Sequence, residues 1–179
     1  FNPDKPDLLP NDPNFPSDIF NFVFGLPRED YMIKKNEAEA NGQLVSDCSD
    51  IVAAGTTAGD NFPLWWVEGD CSINGGTMGS ESSPIILVIE DSEFGVGGNS
   101  QINGIVYLFD SDILDATEAP SASMTGTTEI QGSFISDVGG AAMSGSYSVV
   151  YNPNIIDGFS PANGNNFSFT YVPASWRDF

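Results

Sequence analysis

Two dense apolar runs within residues 84–109, PIILVIEDSEFGVGGNSQINGIVYLF, constrain the fold more than any other feature. The runs at 85–89 and 105–109 are short and rich in β-branched and aromatic residues, which is typical of buried strands. They begin about 20 residues apart, at the lower end of the spacing found in stacked repeats. This stretch therefore predicts the centre of a repetitive β body with an architectural role.

Similar runs recur at residues 64–67, 132–136, 148–151 and 167–172. The motif I-N-G appears at residues 73–75 and 102–104, and I-Q-G at 130–132. The glycine of each motif permits a tight corner with positive φ or a close approach to the next layer. The separate stretch GVGGN at 95–99 predicts a simple turn. The pattern predicts a mainly β fold, a short parallel β-solenoid-like stack with a small helical N-terminal segment.

The intervals between the runs are irregular, and the longest contains residues 110–123, which we predict to be an inserted surface loop. This irregularity keeps a β-sandwich of about five or six strands open as the alternative. Parallel pairing of 85–89 with 105–109 would favour the stack, and antiparallel pairing would favour the sandwich.

The chain divides by composition into three segments. Residues 1–16 are Pro-rich and predicted to be extended. Residues 17–63 form a helical N-terminal segment, with one helix capped by Ser17 and another that follows Pro27 and ends at Asn41-Gly42. Residues 64–179 form a β-rich domain that packs with 17–63 as one unit, and its tail after the strand at 167–172 docks back onto the fold.

Charge and composition exclude several classes of function. With 25 Asp and Glu against 5 Lys and Arg, the chain has no basic face for a phosphate backbone or an anionic membrane. It contains no His, which removes the commonest catalytic base and the commonest transition-metal ligand. Glycoside hydrolysis by two carboxylates survives this test, but residues 64–172 contain no Lys, Arg or His to support it. We predict neither an enzyme nor a cofactor.

Cys48 and Cys71 are the only cysteines, and they predict one structural disulfide formed in an oxidising compartment. The alternative is two buried free thiols, whereas a zinc site lacks the ligands that it needs. The disulfide would tie the helical segment to the first β layer.

Two acidic clusters are predicted to be solvated acidic loops, with a calcium site as the alternative for each. The first begins D-x-D but lacks the spacing of an EF-hand loop. The clusters are Asp110, Asp112, Asp115 and Glu118, and Glu90, Asp91 and Glu93. Three basic residues, Arg28, Lys34 and Lys35, form either a patch for an acidic neighbour or an ordinary solvated helix face. Asn166 begins a glycosylation sequon.

Several stretches in a fixed order resemble the extracellular or periplasmic part of PilX-type pilus assembly proteins, the minor pilins of type IV pili. They run from about residue 15 to the C-terminus: FGLPRED, DCS, WWVEGDCSINGG, GS-x-x-SP with IILVIE, INGIVYLF, EIQGSFISD, SVVYNPNII and VPASWRDF. The order of these pieces, more than any one of them, carries the resemblance.

The resemblance implies a non-enzymatic head domain on a pilus or on the periplasmic side of the inner membrane. Its partners would be other pilin subunits and a tip adhesin. It also implies a membrane helix upstream of Phe1, since the sequence begins without Met and contains no apolar run of membrane-spanning length. A calcium-dependent adhesive or carbohydrate-binding module is the alternative function.

Overall fold

A computed structural model of the chain describes residues 16–53, 63–114, 119–137, 142–143 and 146–159. Four α-helices are found in this part: α1 (Ile19–Phe24), α2 (Tyr31–Ala40), α3 (Ser49–Ala53) and α4 (Pro153–Gly158). A 3-10 turn, Arg28–Asp30, precedes α2. The nine strands are β1 (Leu44–Val45), β2 (Leu64–Val67), β3 (Cys71–Met78), β4 (Ile85–Glu90), β5 (Glu93–Phe109), β6 (Ser121–Met124), β7 (Thr127–Ser136), β8 (Ala142–Met143) and β9 (Ser146–Val150).

All the pairings between these strands are parallel, within one nine-stranded sheet. β4 pairs with the end of β5, and Ile85 lies opposite Gly104. The predicted parallel adjacency of the two apolar runs is therefore confirmed, and the antiparallel pairing that would favour a sandwich is not found there. The protein is mainly β with a few short helices, as predicted.

The long strand β5 has positive φ at Gly98 and Gly104, and at these positions its pairings can be grouped into three strand rows. The first row contains β1, β2, β4, residues 104–109 of β5 and residues 132–136 of β7. The second contains the start of β3, residues 93–96 of β5, β6 and β8. The third contains the end of β3, residues 99–102 of β5, the start of β7, and β9.

Two apolar clusters lie on opposite sides of the first row. The inner cluster is formed by alternate residues of all three rows, including Leu87, Phe94 and Ile102. The outer cluster lies between the first row and the helices, where Phe20 of α1 meets Tyr107 and Phe109. Because both faces of the first row are covered, every residue of β4 is buried, as is typical of parallel sheets.

Glycines at the row boundaries meet the neighbouring strand closely. Gly104 and Gly132 lie opposite each other, and a Cβ added at Gly132 would lie 2.1 Å from the carbonyl oxygen of Gly104. The predicted close approach to a neighbouring backbone is thus confirmed for the glycines of the motifs at 102–104 and 130–132. The motif at 73–75 is not equivalent to them: Ile73 lies opposite Val96, and Gly75 is next to Gly98 at another boundary.

The segment before β2 differs in detail from the prediction. Asp18, not Ser17, caps α1 by accepting a hydrogen bond from the Asn21 N–H, because α1 begins at Ile19. The sheet also begins earlier than residue 64, since β1 lies within the predicted helical segment and pairs with β2. The turn predicted at 95–99 is instead part of the strand β5, within which Gly98 has a positive φ of 66°. The predicted N-terminal extended segment, the strand at 167–172 and the tail lie outside the described residues.

Candidate functional site

The charged residues that the structure brings together lie where the first-row strands end. Glu68 is the residue after β2, and it lies beside Glu90, the last residue of β4. Asp137 is the residue after β7, and it lies beside Phe109, the last residue of β5. Two cations from the helical segment, Arg28 and Lys35, contact this line of side chains. We call these five charged residues, together with Phe109, the helix–sheet clamp.

Arg28 forms one half of the clamp. Its guanidinium lies 2.5 Å from Asp137 Oδ2, donates to the backbone carbonyl of Asp110, and lies over the Phe109 ring at 5.1 Å from the centroid. Its backbone N–H donates to Asp18, the residue that caps α1. The Asp137 side chain is 1% exposed, so its negative charge is buried and is stabilised by the positive charge of Arg28.

Tyr107 completes the surroundings of Asp137. Its hydroxyl donates to Asp137 Oδ1 over 2.8 Å. Burial, and then the neighbouring negative charge of Asp137, raise the pKa of Tyr107 above the usual range. Burial acts to lower the pKa of Arg28, but the hydrogen bond and the charge of Asp137 outweigh it, so the pKa is raised. Tyr107 therefore stays neutral and Arg28 stays charged, which suits a structural ion pair.

Lys35 forms the other half of the clamp. Its Nζ lies 2.6 Å from Glu90 Oε2 and 2.7 Å from Glu68 Oε1. The same Glu90 oxygen accepts a hydrogen bond from the Trp66 indole N–H over 2.8 Å. Burial acts to lower the pKa of Lys35, but hydrogen bonds to the two glutamates outweigh it and raise the pKa. Tyr31 stacks on Trp66, so α2 is held to the first row by a charge cluster and an aromatic contact together.

The sequence offered two interpretations of the three basic residues, a patch for an acidic neighbour or a solvated helix face, and both are wrong for Arg28 and Lys35. Arg28 and Lys35 are neither a free patch nor a solvated face, because their side chains are only 19% and 14% exposed and bind carboxylates of the same chain. Lys34 contacts Glu37, one turn further along α2. Intramolecular pairing is the reason: the acidic strand ends lie directly beneath α2.

The two described residues of the first acidic cluster lie in the loop after β5, where the Asp110 backbone carbonyl accepts a hydrogen bond from Arg28 of the clamp. Asp110 and Asp112 each accept a hydrogen bond from the backbone N–H two residues further on, at 3.0 and 3.1 Å. Asp115 and Glu118 lie outside the described residues. Asp110 is 4% exposed, and burial is the main cause that raises its pKa above the ordinary value of aspartate.

The second acidic cluster is also separated. Glu90 contacts Lys35 beneath the helices, whereas Asp91 accepts hydrogen bonds from the N–H and hydroxyl of Ser111. Glu93 is exposed and its backbone N–H donates to Asp70. Across the described ranges, no group of three or more His, Cys, Asp or Glu is arranged to hold a metal ion.

The predicted disulfide is present between Cys48 and Cys71, whose Cα atoms are 4.8 Å apart. Both residues are fully buried in the inner cluster, with Ile51 of α3 in the same cluster. The bond joins the residue before α3 to the first residue of β3. It therefore attaches the helical segment to β3, the strand that follows β2; the disulfide was predicted to tie this segment to the first β layer.

The sequence did not reveal Asp137 or the role of Tyr107. One signal was available: an acidic residue ends or follows the first-row strands at Glu68, Glu90, Asp110 and Asp137. Aligning the apolar runs by their ends would have placed these residues at one edge of the sheet. Which carboxylate contacts which cation depends on the register between successive strands of the first row, and the long interval between β5 and β7 hides that register.

Among the described residues, none of the helices combines the length and the apolar character that a membrane crossing requires. In comparisons with known proteins, no family model, no curated protein and no solved structure matched this chain.

Proposed function

We propose that the chain is the head domain of a minor-pilin-like component of a type IV pilus, acting through protein–protein contacts outside the inner membrane and not as an enzyme. The observation that carries the proposal is the helix–sheet clamp. A head anchored through its N-terminal side must transmit force from that side into its body. The clamp and the Cys48–Cys71 disulfide join the N-terminal segment to two different strand rows.

The buried ionisable groups support a structural role. Asp137, Glu90 and Lys35 pair with one another or with neighbouring structural groups, so their charges serve packing. Tyr107 has a raised pKa, which makes it a poor proton donor or acceptor near neutral pH. The order of motifs that resembles PilX-type proteins supplies the specific family.

We further propose that the three strand rows are the sides of a short parallel β-solenoid. Each row repeats in register from one layer to the next, and all three rows contribute to a single inner cluster. Such a stack has layers spaced about 4.8 Å apart and gives an elongated head with an exposed lateral surface.

An extracellular or periplasmic location follows from the same proposal. A buried structural disulfide is formed and maintained in oxidising compartments. The partners on this view are other pilin subunits and a tip adhesin, and the membrane is contacted only by a helix upstream of Phe1.

Two experiments test the proposal in the source organism. The gene sequence upstream of Phe1 should encode a prepilin leader followed by an apolar helix of about 20 residues. Deletion of the gene should reduce surface pili in a sheared fraction, and wild-type protein should restore them. The variant Glu39→Gln, which changes one exposed charge on α2, should restore them equally. A plain secretion signal, or wild-type piliation in the deletion strain, would contradict the proposal.

The calcium-dependent alternative is tested by calorimetry on the same protein. A calcium-binding adhesive or carbohydrate module should release heat with Ca²⁺ and melt at a higher temperature in its presence. We expect neither effect, because Asp91 already accepts hydrogen bonds from Ser111, and Asp110 and Asp112 accept them from backbone N–H groups two residues further on. A saturable heat with a rise in melting temperature would favour the alternative.

A further inference from the structure

The third strand row ends with its inner side chains uncovered. Ile102, Ile130 and Val149 lie opposite one another in successive layers, and the first two are fully buried whereas Val149 is 43% exposed. The neighbouring inner position changes in the same way, from 2% exposure at Thr128 to 40% at Tyr147. The inner cluster is therefore open at β9.

The backbone of β9 is open on the same side. β9 pairs with β7, and no other strand in the described part of the chain pairs with it. A parallel stack that ends this way presents both a strand edge and apolar side chains, which is the arrangement that proteins normally cover or pair.

We propose that residues 166–172 of this chain, NFSFTYV, pair with the free edge of β9 and close the inner cluster. The sequence of this segment alternates strictly, so that in a strand Phe167, Phe169 and Tyr171 would share one face and Ser168 and Thr170 the other. The aromatic face covers Tyr147 and Val149, and the hydroxyl face continues the outward position of Ser148.

The spacing along the chain fits this return. In the third row, the paired residues Thr127 and Ser146 are 19 positions apart and Asn99 and Thr127 are 28 apart. Phe167 follows Tyr147 by 20 positions, which lies inside that range.

The chain can also reach the edge of β9 from the end of α4. Phe159 is buried in the outer cluster, and Gly158 lies against Pro84, just before β4. The layer that contains β4 is separated from the layer beyond β9 by about four layer spacings of about 4.8 Å, or about 19 Å. The eight Cα–Cα steps from Phe159 to Phe167 span up to about 27 Å when extended. This inference does not depend on the proposed pilus function, but it rests on the proposed stack of layers, since it concerns how that stack ends.

Pairs of engineered cysteines in the full chain test the proposal. Ser148→Cys is combined in turn with Ser168→Cys, Thr170→Cys and, as the matched control, Phe169→Cys, and each protein is oxidised at micromolar concentration. We expect a disulfide within one chain for Ser168→Cys or Thr170→Cys, identified by mass spectrometry of linked peptides, and none for Phe169→Cys. No link in the first two, or an equal yield in the control, would overturn the proposal.

A second copy of the chain is the competing occupant of this edge. In that case Ser148→Cys alone would form disulfide-linked dimers and the double variants would link between chains, which would also overturn the proposal.

Hydrogen exchange gives a second readout that needs no crosslink. Phe167→Ser with Phe169→Ser should increase amide exchange of β9 at least tenfold and leave β4 unchanged. Ser168→Ala with Thr170→Ala, on the opposite face, should leave both strands unchanged. Equal exchange of β9 in the two variants would contradict the proposed strand.

Discussion

The Tyr107 hydroxyl donates a hydrogen bond to Asp137 Oδ1 over 2.8 Å, while Arg28 binds the other oxygen of the same carboxylate at 2.5 Å. The three residues come from different parts of the chain: the turn before α2, the end of β5 and the residue after β7. One buried carboxylate therefore holds the helical segment to two adjacent layers of the first row.

Removing the charge of Asp137 should loosen this junction. In Asp137→Asn the amide oxygen still accepts from Tyr107, but Arg28 loses its counter-ion in a largely buried place. We expect the free energy of unfolding to fall by about 2–3 kcal/mol, below the full cost of breaking a buried pair because Arg28 is partly exposed. Urea unfolding would measure it. Glu39→Gln, an equal charge change on an exposed residue, should cost less than about 0.5 kcal/mol, and equal effects would contradict the prediction.

The close approach of layers makes Gly104 a sensitive position. A Cβ added there would lie 1.9 Å from the carbonyl oxygen of Ile85, in the backbone of the neighbouring strand. Gly104→Ala should lower the free energy of unfolding by more than about 3 kcal/mol, or prevent folding, because a strand of the sheet must move.

Gly42→Ala is the matched control for Gly104→Ala. Gly42 also has a positive φ, of 71°, but an added Cβ would have no neighbour within 4 Å. Its cost should be about 1 kcal/mol, arising from the backbone conformation alone. Thermal melting of the two variants would compare them, and a Gly104→Ala protein as stable as Gly42→Ala would refute the packing argument.

The sequence predicted the features of the fold that depend on residues close together in the chain. The runs at 85–89 and 105–109 were expected to be adjacent parallel strands, and glycines 104 and 132 were expected at close approaches, because strand length, β-branched content and glycine are visible within a few residues. The disulfide followed from there being only two cysteines.

The clamp was not predictable in the same way. Glu90 was grouped with Asp91 and Glu93 because they are adjacent in sequence. However, Glu90 is the last residue of β4 and contacts Lys35, whereas Asp91 lies after the strand, with a positive φ of 51°, and contacts Ser111. The motif at 73–75 was wrongly grouped with those at 102–104 and 130–132, because the partner of a strand residue depends on the register between strands and not on the residue types of the motif.

Loss of the Cys48–Cys71 disulfide should destabilise the fold. The cysteines are 23 positions apart, and a loop of that length contributes about 3 kcal/mol when the bond restricts the unfolded chain. The double variant Cys48→Ala with Cys71→Ala should unfold at correspondingly lower urea. A reducing agent should lower the stability of the wild type and leave the double variant unchanged. Wild-type stability that is insensitive to reduction would contradict this prediction.

Asp110 should make stability depend on pH. Burial is the main cause that raises its pKa in the folded state; the charges of Asp91 and Asp137 add to it, and the Asp112 N–H and Arg28 oppose it. A raised pKa means that the folded protein holds this proton more tightly than the unfolded chain does. The resulting stabilisation is complete below the pKa of the unfolded chain, about 3.9, and is lost as the pH rises through the folded value.

Asp110→Asn should therefore raise the free energy of unfolding at pH 7 relative to the wild type, and the difference should shrink as the pH falls toward 4. The asparagine keeps the acceptor for the Asp112 N–H, so the turn is retained. Asp112→Asn, an exposed neighbour in the same loop with the same change of charge, controls for the general repulsion in a chain of net charge −20. Urea midpoints for the three proteins between pH 4 and 7.5 would measure the effect. If Asp110→Asn and Asp112→Asn followed the same pH dependence, the buried carboxyl of Asp110 would not be its source.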